Sequence, residues 1–262
     1  MPTLRAIIFD LDDTLLVDEA VSYEVLELIA QQVKKNCDID PKIFVSDVAT
    51  IAQELWRKGA CYPFCHEIGI SAFEGLWGNF LGETKELTTL RAWSHHYREE
   101  VFLKALLTQS VQLSQAAVIA RDLALEFSLL RRQRQRLFPK TEKVLEQLSC
   151  HYQLGLLTNG APDLQREKIV ATRCEHLFSN ILISGECGIG KPNPVVFECL
   201  LQQLHVKPTE AMMVGNSLER DIAGAHAAGM TAVWLRLPGK NNVGTIVPDK
   251  TITDLQEVLD FL

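Results

Sequence analysis

Ala6-Ile7-Ile8-Phe9-Asp10-Leu11-Asp12-Asp13-Thr14-Leu15 is the stretch that decides how the rest of the chain is read. An uninterrupted apolar run leads straight into a cluster of aspartates. A run of this length reads as a strand buried on both faces, as in a parallel sheet. In open α/β sheets ligands bind beyond the carboxyl ends of the strands, and the aspartates sit at that end. Extended geometry would turn Asp10 and Asp12 the same way. Like charges so close repel, so a cation is expected between or beside them. A hard divalent ion such as Mg²⁺ suits an all-oxygen site. Taken alone, the same aspartates also read as solvated loop carboxylates behind a core strand.

The bulk of the sequence narrows the classes. The chain has 262 residues, 47% of them hydrophobic and 23% charged. That is an ordinary globular composition, long enough for a full core and for about two domains. A net charge of −7 argues against nucleic acid as a partner. An anionic substrate would need a local positive site rather than a global field. Seven cysteines form no paired framework, which reads as reduced thiols in a cytoplasmic protein. No apolar run approaches the ~18 residues of a membrane span, and no signal peptide or membrane contact is expected. The expected assembly is a monomer or weak homodimer.

Taken in order, residues 4 to 9 read as the first strand. From about Leu16 to Arg136 the period becomes helical. Val21, Val25, Leu28, Ile29 and Val33 share one face, and Phe44, Val48, Ile51, Leu55 and Trp56 another. Asp40-Pro41 has the form of an N-cap followed by proline at the first helical position. Ser71 to Glu74 fits a capping box. Further helices are read through Leu90, Trp93, Tyr97 and Val101, and from Ser114 to Arg136. From Leu137 strands and helices alternate. Strands are expected at 153–158, 180–183, 211–214, 231–235 and, at an edge, 251–252. Helices are expected at 141–150, 164–171, 194–204, 218–228 and 255–262. Pro238 to Pro248, with Gly239, Asn241, Asn242 and Gly244, reads as a loop. The expected fold class is α/β, a doubly wound parallel sheet with an inserted all-helical domain. The core would be 1–16 and 137–262, and the insert 17–136.

Polar residues fall where the strands end. The first strand ends in Asp10 and Asp12, and the second in Thr158-Asn159-Gly160. Gly188-Ile189-Gly190-Lys191-Pro192 follows the third. The fourth ends in Gly215-Asn216-Ser217, with Asp221 shortly beyond. In one parallel sheet these ends share a rim. That inventory suits phosphoryl transfer, which needs an in-line nucleophile and charge neutralisation on the phosphoryl oxygens. Asp10 is the candidate nucleophile and Asp12 the candidate acid and base. Thr158 and the N–H groups near Asn159 and Gly160 are candidate phosphate-binding groups, and Lys191 the candidate point charge. Each motif has a plainer reading as a turn, a loop or a helix-start charge; their order along one rim is what speaks for a site.

With those residues in view, the chain resembles the haloacid dehalogenase superfamily of phosphohydrolases, in the subgroup similar to phosphoglycolate, sugar-phosphate and nucleotide phosphatases. The likeness spans the whole chain in architecture and is sharpest over 4–16 and 137–236. Asp10-Leu11-Asp12-Asp13-Thr14-Leu15 looks like the family's first motif, Thr158 its second, Lys191 its third, and Gly215-Asn216-Ser217-Leu218-Glu219-Arg220-Asp221 its fourth. The resemblance implies a Mg²⁺-dependent nucleophile at Asp10 and an acid/base at Asp12. It also implies a metal bound by the Asp10 side chain, the Asp12 main-chain carbonyl and a fourth-motif side chain, Asn216 or Asp221. The helical insert falls where the family places a substrate-selecting cap. The fourth motif usually opens Gly-Asp; here it opens Gly215-Asn216, which offers the metal a neutral oxygen. Halide-releasing members lack the second aspartate of the first motif, so Asp12 favours a phosphatase. A small phosphorylated metabolite is the expected substrate.

Two alternatives stay open in the sequence. The same aspartate pair suits a phosphomutase, and Asn216 suits a non-catalytic phosphometabolite-binding protein. Cys61, Cys65 and His66 are too few for a structural zinc site. Arg131, Arg132, Arg134 and Arg136 read as a solvated helix face, with a basic wall facing an anionic substrate as the rival reading. His95 and His96 are expected on a surface.

Overall fold

The computed structural model describes residues 3–241 and 244–262; of the expected 238–248 loop, Asn242 lies outside the described residues. The chain divides into two compact units, Met1–Val17 with Arg136–Leu262, and Asp18–Gln135.

In chain order, β1 (Ala6–Phe9) precedes the helices α1 (Glu19–Lys34), α2 (Pro41–Lys58), α3 (Tyr62–Ile68), α4 (Ala72–Gly75), α5 (Lys85–Thr108) and α6 (Leu113–Gln133). Alternation then begins with α7 (Thr141–Ser149), β2 (Gln153–Thr158), α8 (Pro162–Thr172), β3 (Asn180–Ile183), α9 (Ser184–Cys187) and α10 (Pro194–Gln203). It continues through β4 (Ala211–Gly215), a π-helical turn at Leu218–Ile222, α11 (Ala223–Ala227), β5 (Thr231–Leu235) and β6 (Lys250–Ile252). A 3₁₀ segment, Leu255–Asp260, stands where a terminal α-helix was expected.

The first unit is a parallel sheet in the order β3-β2-β1-β4-β5-β6. All four residues of β1 are buried, as an apolar run without alternation requires of a central parallel strand. Ile7 and Phe9 pack on one face with Leu145, Leu148, Leu154 and Leu156. Ala6 and Ile8 pack on the other with Phe197, Leu200 and Met213. Beyond β1 the chain turns sharply. The Leu11 carbonyl accepts from the Leu15 and Leu16 amides at 2.9 Å each, and Asp13 adopts φ 57°. Val17 N then donates to Arg136 O at 3.0 Å, and Phe138 N to Leu15 O at 2.9 Å, so the outgoing and returning strands are zipped together.

The second unit is helical throughout its described elements. Its local signals act as their chemistry dictates. Asp40 accepts from Lys42 N and Ile43 N ahead of Pro41, and Ser71 and Glu74 form a reciprocal capping box; each such cap contributes about 1 kcal/mol. The phenol of Tyr97 donates to Ala72 O and Ala52 O, which ties α5 to the 72–75 turn and α2. The basic run corrects the expectation of a solvated face. Arg131 is fully buried, donates to Ser22 Oγ at 3.0 Å, pairs with Asp18 and lies 4.7 Å from the Trp77 ring centroid. Within its own helical unit it anchors α6 to α1. Among the described residues no helix is long and apolar enough to cross a membrane.

Candidate active site

The site is built at the carboxyl ends of β1, β2 and β4. Asp10 follows β1 directly, and its amide continues the ladder to Val214 O at 3.0 Å. Its side chain is almost fully buried. Oδ1 lies 2.6 Å from Lys191 Nζ, and Oδ2 accepts from Thr14 Oγ1 at 3.1 Å.

Lys191 arrives on the loop between α9 and α10 and is itself buried. An ammonium has three donors, and all three are engaged: with Asp10, with Asp221 Oδ1 at 2.7 Å and with Leu157 O at 2.8 Å. Burial pulls the lysine pKa down, but Asp10 and Asp221 beside it outweigh that, so the net shift is upward and the charge is kept. Burial also pushes the Asp221 carboxyl up, with Lys191 opposing and Asp10 adding to it, to about 6.

Asp221 is held by both oxygens: Oδ1 by Lys191, and Oδ2 by the Ser217 amide at 2.9 Å. A Cβ at position 215 would lie 2.3 Å from Asp221 Oδ2, so only glycine lets that carboxylate approach the strand end. The structure therefore places Asp221 as a partner of Lys191, which sets it apart from the metal-ligand role expected as an alternative.

The second strand end also departs from expectation. Thr158 Oγ1 is buried and has no hydrogen-bond partner, as a hydroxyl waiting for a ligand oxygen would be. Asn159 does not point to a ligand; its amide clamps the backbone of Lys191, Nδ2 to Lys191 O at 2.9 Å and Oδ1 from Lys191 N at 2.8 Å. The Gly160 amide donates to Ser184 Oγ at 2.9 Å. The expected phosphate-binding role at Asn159 and Gly160 is thus replaced, for the Asn159 side chain and the Gly160 N–H, by a role in holding the loop.

Asp10 and Asp12 do not share a cation. The turn after β1 sends Asp12 to α8, where both its oxygens lie 2.9 Å from Lys168 Nζ and Oδ2 accepts from Gln165 Nε2 at 3.0 Å. Sequence reasoning missed Lys168, Gln165, Thr14 and Ser184. One signal was present. Lys168 falls four positions after Leu164 and one before Ile169, on the buried face of α8, where a solvated lysine has no place.

The oxygens near Asp10 suit a hard divalent ion. Thr14 Oγ1 lies 3.1 Å from Asp10 Oδ2 and 3.4 Å from Asn216 Oδ1, so these two candidate ligands meet at one hydroxyl. Asp10 and Asp221 carry two negative charges against the one positive charge of Lys191, leaving one uncompensated in a buried site. Trp234 Nε1 fixes the Asn216 carbonyl at 2.9 Å. Oxygen donors with an excess negative charge fit Mg²⁺.

The model of the haloacid dehalogenase-like hydrolases matches residues 4–229. The chain belongs to that family. A phosphoserine phosphatase of Thermus thermophilus is 40% identical over 256 residues, covering 97% of this chain and 98% of that protein. A glyceraldehyde 3-phosphate phosphatase of Methanopyrus kandleri is 37% identical over 132 residues, 48% of this chain and 56% of its own length. The structure of a HAD-hydrolase from Bacillus subtilis superposes with a TM-score of 0.66 over 98% of each chain, at 21% identity, and shares the fold. The chain is an enzyme of this superfamily, a phosphatase, on an α/β Rossmann-like core.

Proposed function

We propose that the protein hydrolyses a small phosphate monoester in the cytosol by way of an aspartyl-phosphate on Asp10, with Mg²⁺. The observation that carries this reading is the ion set at the end of β1: Asp10 and Asp221 on one buried ammonium, Lys191. Close by in the sheet, at the end of β2, the unpartnered Thr158 hydroxyl supports a phosphoryl site. A carboxylate attacking a phosphate dianion is repelled unless cations offset the charge. Lys191 is positioned to do that at the attacking group itself. The Asp10 carboxylate, the Asp12 main-chain carbonyl and Asn216 Oδ1 would hold Mg²⁺, which supplies charge neutralisation on the phosphoryl oxygens.

In the first half-reaction an Asp10 oxygen forms a bond to phosphorus as the bond to the ester oxygen breaks. Asp12 gives its proton to the departing alkoxide. In the second half, water attacks phosphorus, Asp12 takes the water proton, and the bond from Asp10 to phosphorus breaks to release phosphate. Thr158 Oγ1 donates to a phosphoryl oxygen in both halves. The helical unit Asp18–Gln135 selects the substrate. The relative that covers the chain end to end is a phosphoserine phosphatase, so phosphoserine is the first substrate to try.

The test is phosphate release from phosphoserine, glyceraldehyde 3-phosphate and p-nitrophenyl phosphate, with Mg²⁺ and with a chelator. Release that needs Mg²⁺ and disappears in Asp10→Asn is expected. Turnover unaffected by the chelator, or retained by Asp10→Asn, contradicts the reading. Transfer of the phosphoryl group within the substrate without free phosphate would make the protein a mutase.

A further inference from the structure

Lys168 has no solvent-exposed surface on its side chain, yet it does not touch the nucleophile. Both oxygens of Asp12 lie 2.9 Å from its Nζ. Gln165, also fully buried, adds a third contact at 3.0 Å. The same Gln165 nitrogen donates to Asn159 O at 2.9 Å, and Asn159 in turn clamps Lys191. One side chain of α8 therefore connects Asp12 to the loop that carries the lysine of Asp10.

A buried ion pair is a poor way to stabilise a fold. Desolvating both charges costs about as much as their attraction returns, and apolar residues of similar volume often do as well or better. On α8, Leu164 and Ile169 fill the neighbouring inward positions with aliphatic side chains. An amide and an ammonium at Gln165 and Lys168 thus stand where stability alone would favour more of the same. Their contacts converge on Asp12, a short side chain just past the end of β1 that would otherwise be free to rotate.

We propose that Lys168, assisted by Gln165, is a positioning residue that fixes the orientation of Asp12 for proton transfer to the leaving oxygen. This rests on the reading of Asp12 as acid and base given above. Orientation of a reacting group is a large part of its effect, and a general acid contributes roughly 10²- to 10⁴-fold in all. Proton donation matters for an alkoxide leaving group, which leaves poorly without it, and hardly at all for p-nitrophenolate. Lys168→Met should therefore separate the two kinds of ester.

The experiment compares kcat/KM, which reports phosphoryl transfer to Asp10, for phosphoserine and for p-nitrophenyl phosphate. Wild type, Lys168→Met and Gln165→Leu are measured at one pH with saturating Mg²⁺. For Lys168→Met the expected loss is about 10- to 100-fold on phosphoserine and less than about threefold on p-nitrophenyl phosphate, orientation being a part of the general-acid effect. Gln165→Leu should show the same selectivity with a smaller loss, and it decides the matter if Lys168→Met does not fold. Equal losses on both esters, or no loss, overturn the proposal and leave α8 a structural helix. A wild type that turns over neither ester, or the aryl ester alone, removes the general acid itself and the proposal with it. A wild type active on both with no selectivity in the variants removes only the role of Lys168.

Discussion

The side chain of Asn159 holds the backbone of Lys191 on both sides, accepting from its N–H at 2.8 Å and donating to its C=O at 2.9 Å. Two loops far apart in sequence are joined at the one residue whose ammonium must reach Asp10. Asn159→Ala would leave a buried N–H and a buried C=O without partners. The expected cost is about 2–4 kcal/mol, from two hydrogen bonds and the desolvation of the groups left behind. Turnover should fall with it, because Lys191 loses its placement. Chemical denaturation and steady-state kinetics check both; unchanged stability would mean that the loop is held elsewhere.

Thr158 should behave in the opposite way. Its hydroxyl is buried without a partner, so Thr158→Val removes nothing that the ligand-free protein uses. Stability is expected to stay level or rise by up to about 1 kcal/mol, since an unsatisfied buried group is removed. Affinity for a phosphate analogue such as vanadate should fall at least several-fold. A loss of stability with unchanged vanadate affinity would show the hydroxyl to be structural.

Asn216 offers the metal a neutral oxygen next to Thr14, whose hydroxyl also contacts Asp10. Asn216→Asp adds a carboxylate beside one already there. Calorimetric titration should show Mg²⁺ binding about tenfold tighter in the free protein, worth ~1.4 kcal/mol. The gain should shrink with a phosphate analogue bound. Without Mg²⁺ the variant should melt lower than wild type, through like-charge repulsion. Unchanged or weaker Mg²⁺ binding would reject Asn216 as a ligand.

Away from the site, Asp249 gives a pH-dependent element. Burial alone would raise its pKa. The Ala232 amide at 2.8 Å and His226 at 2.9 Å outweigh burial and hold it below its ordinary 3.8. A carboxylate with a depressed folded-state pKa contributes stability above the unfolded value and loses it as pH falls through the folded one. Asp249→Asn should therefore lower the melting temperature at pH 7. The gap to wild type should close as pH drops from about 4 downward, below both values. A gap that persists unchanged at pH 2 would point to packing rather than charge.

What could be read from the sequence was what depends on neighbours along the chain. The unbroken run Ala6–Phe9 announced a central parallel strand, and all of it is buried. Asp40-Pro41, Ser71-Ala72-Phe73-Glu74 and Asn193-Pro194 cap helices where their chemistry says they should. The rim at the strand ends brought Asp10, Lys191 and Asp221 into contact. What stayed hidden depends on a distant partner. Lys168 and Arg131 each sit in a helix with other charges nearby, and local charge patterning sends both to solvent. The structure buries both, one against Asp12 at a separation of 156 positions and the other against Asp18 at 113. Likewise Thr158-Asn159-Gly160 suggested three phosphate contacts. The asparagine amide and the glycine N–H are committed to Lys191 and Ser184, which no spacing rule reveals.

The central claim is a covalent phosphoryl group on Asp10, and rapid acid quench tests it most directly. The protein is mixed with a labelled monoester and Mg²⁺, quenched within a turnover and digested, and the label is located by peptide mass spectrometry after borohydride reduction of the acyl phosphate. The account predicts label on the peptide that contains Asp10 in the wild type and none in Asp10→Asn. An active enzyme that carries no protein-bound phosphate under these conditions, or carries it on another residue, would contradict it.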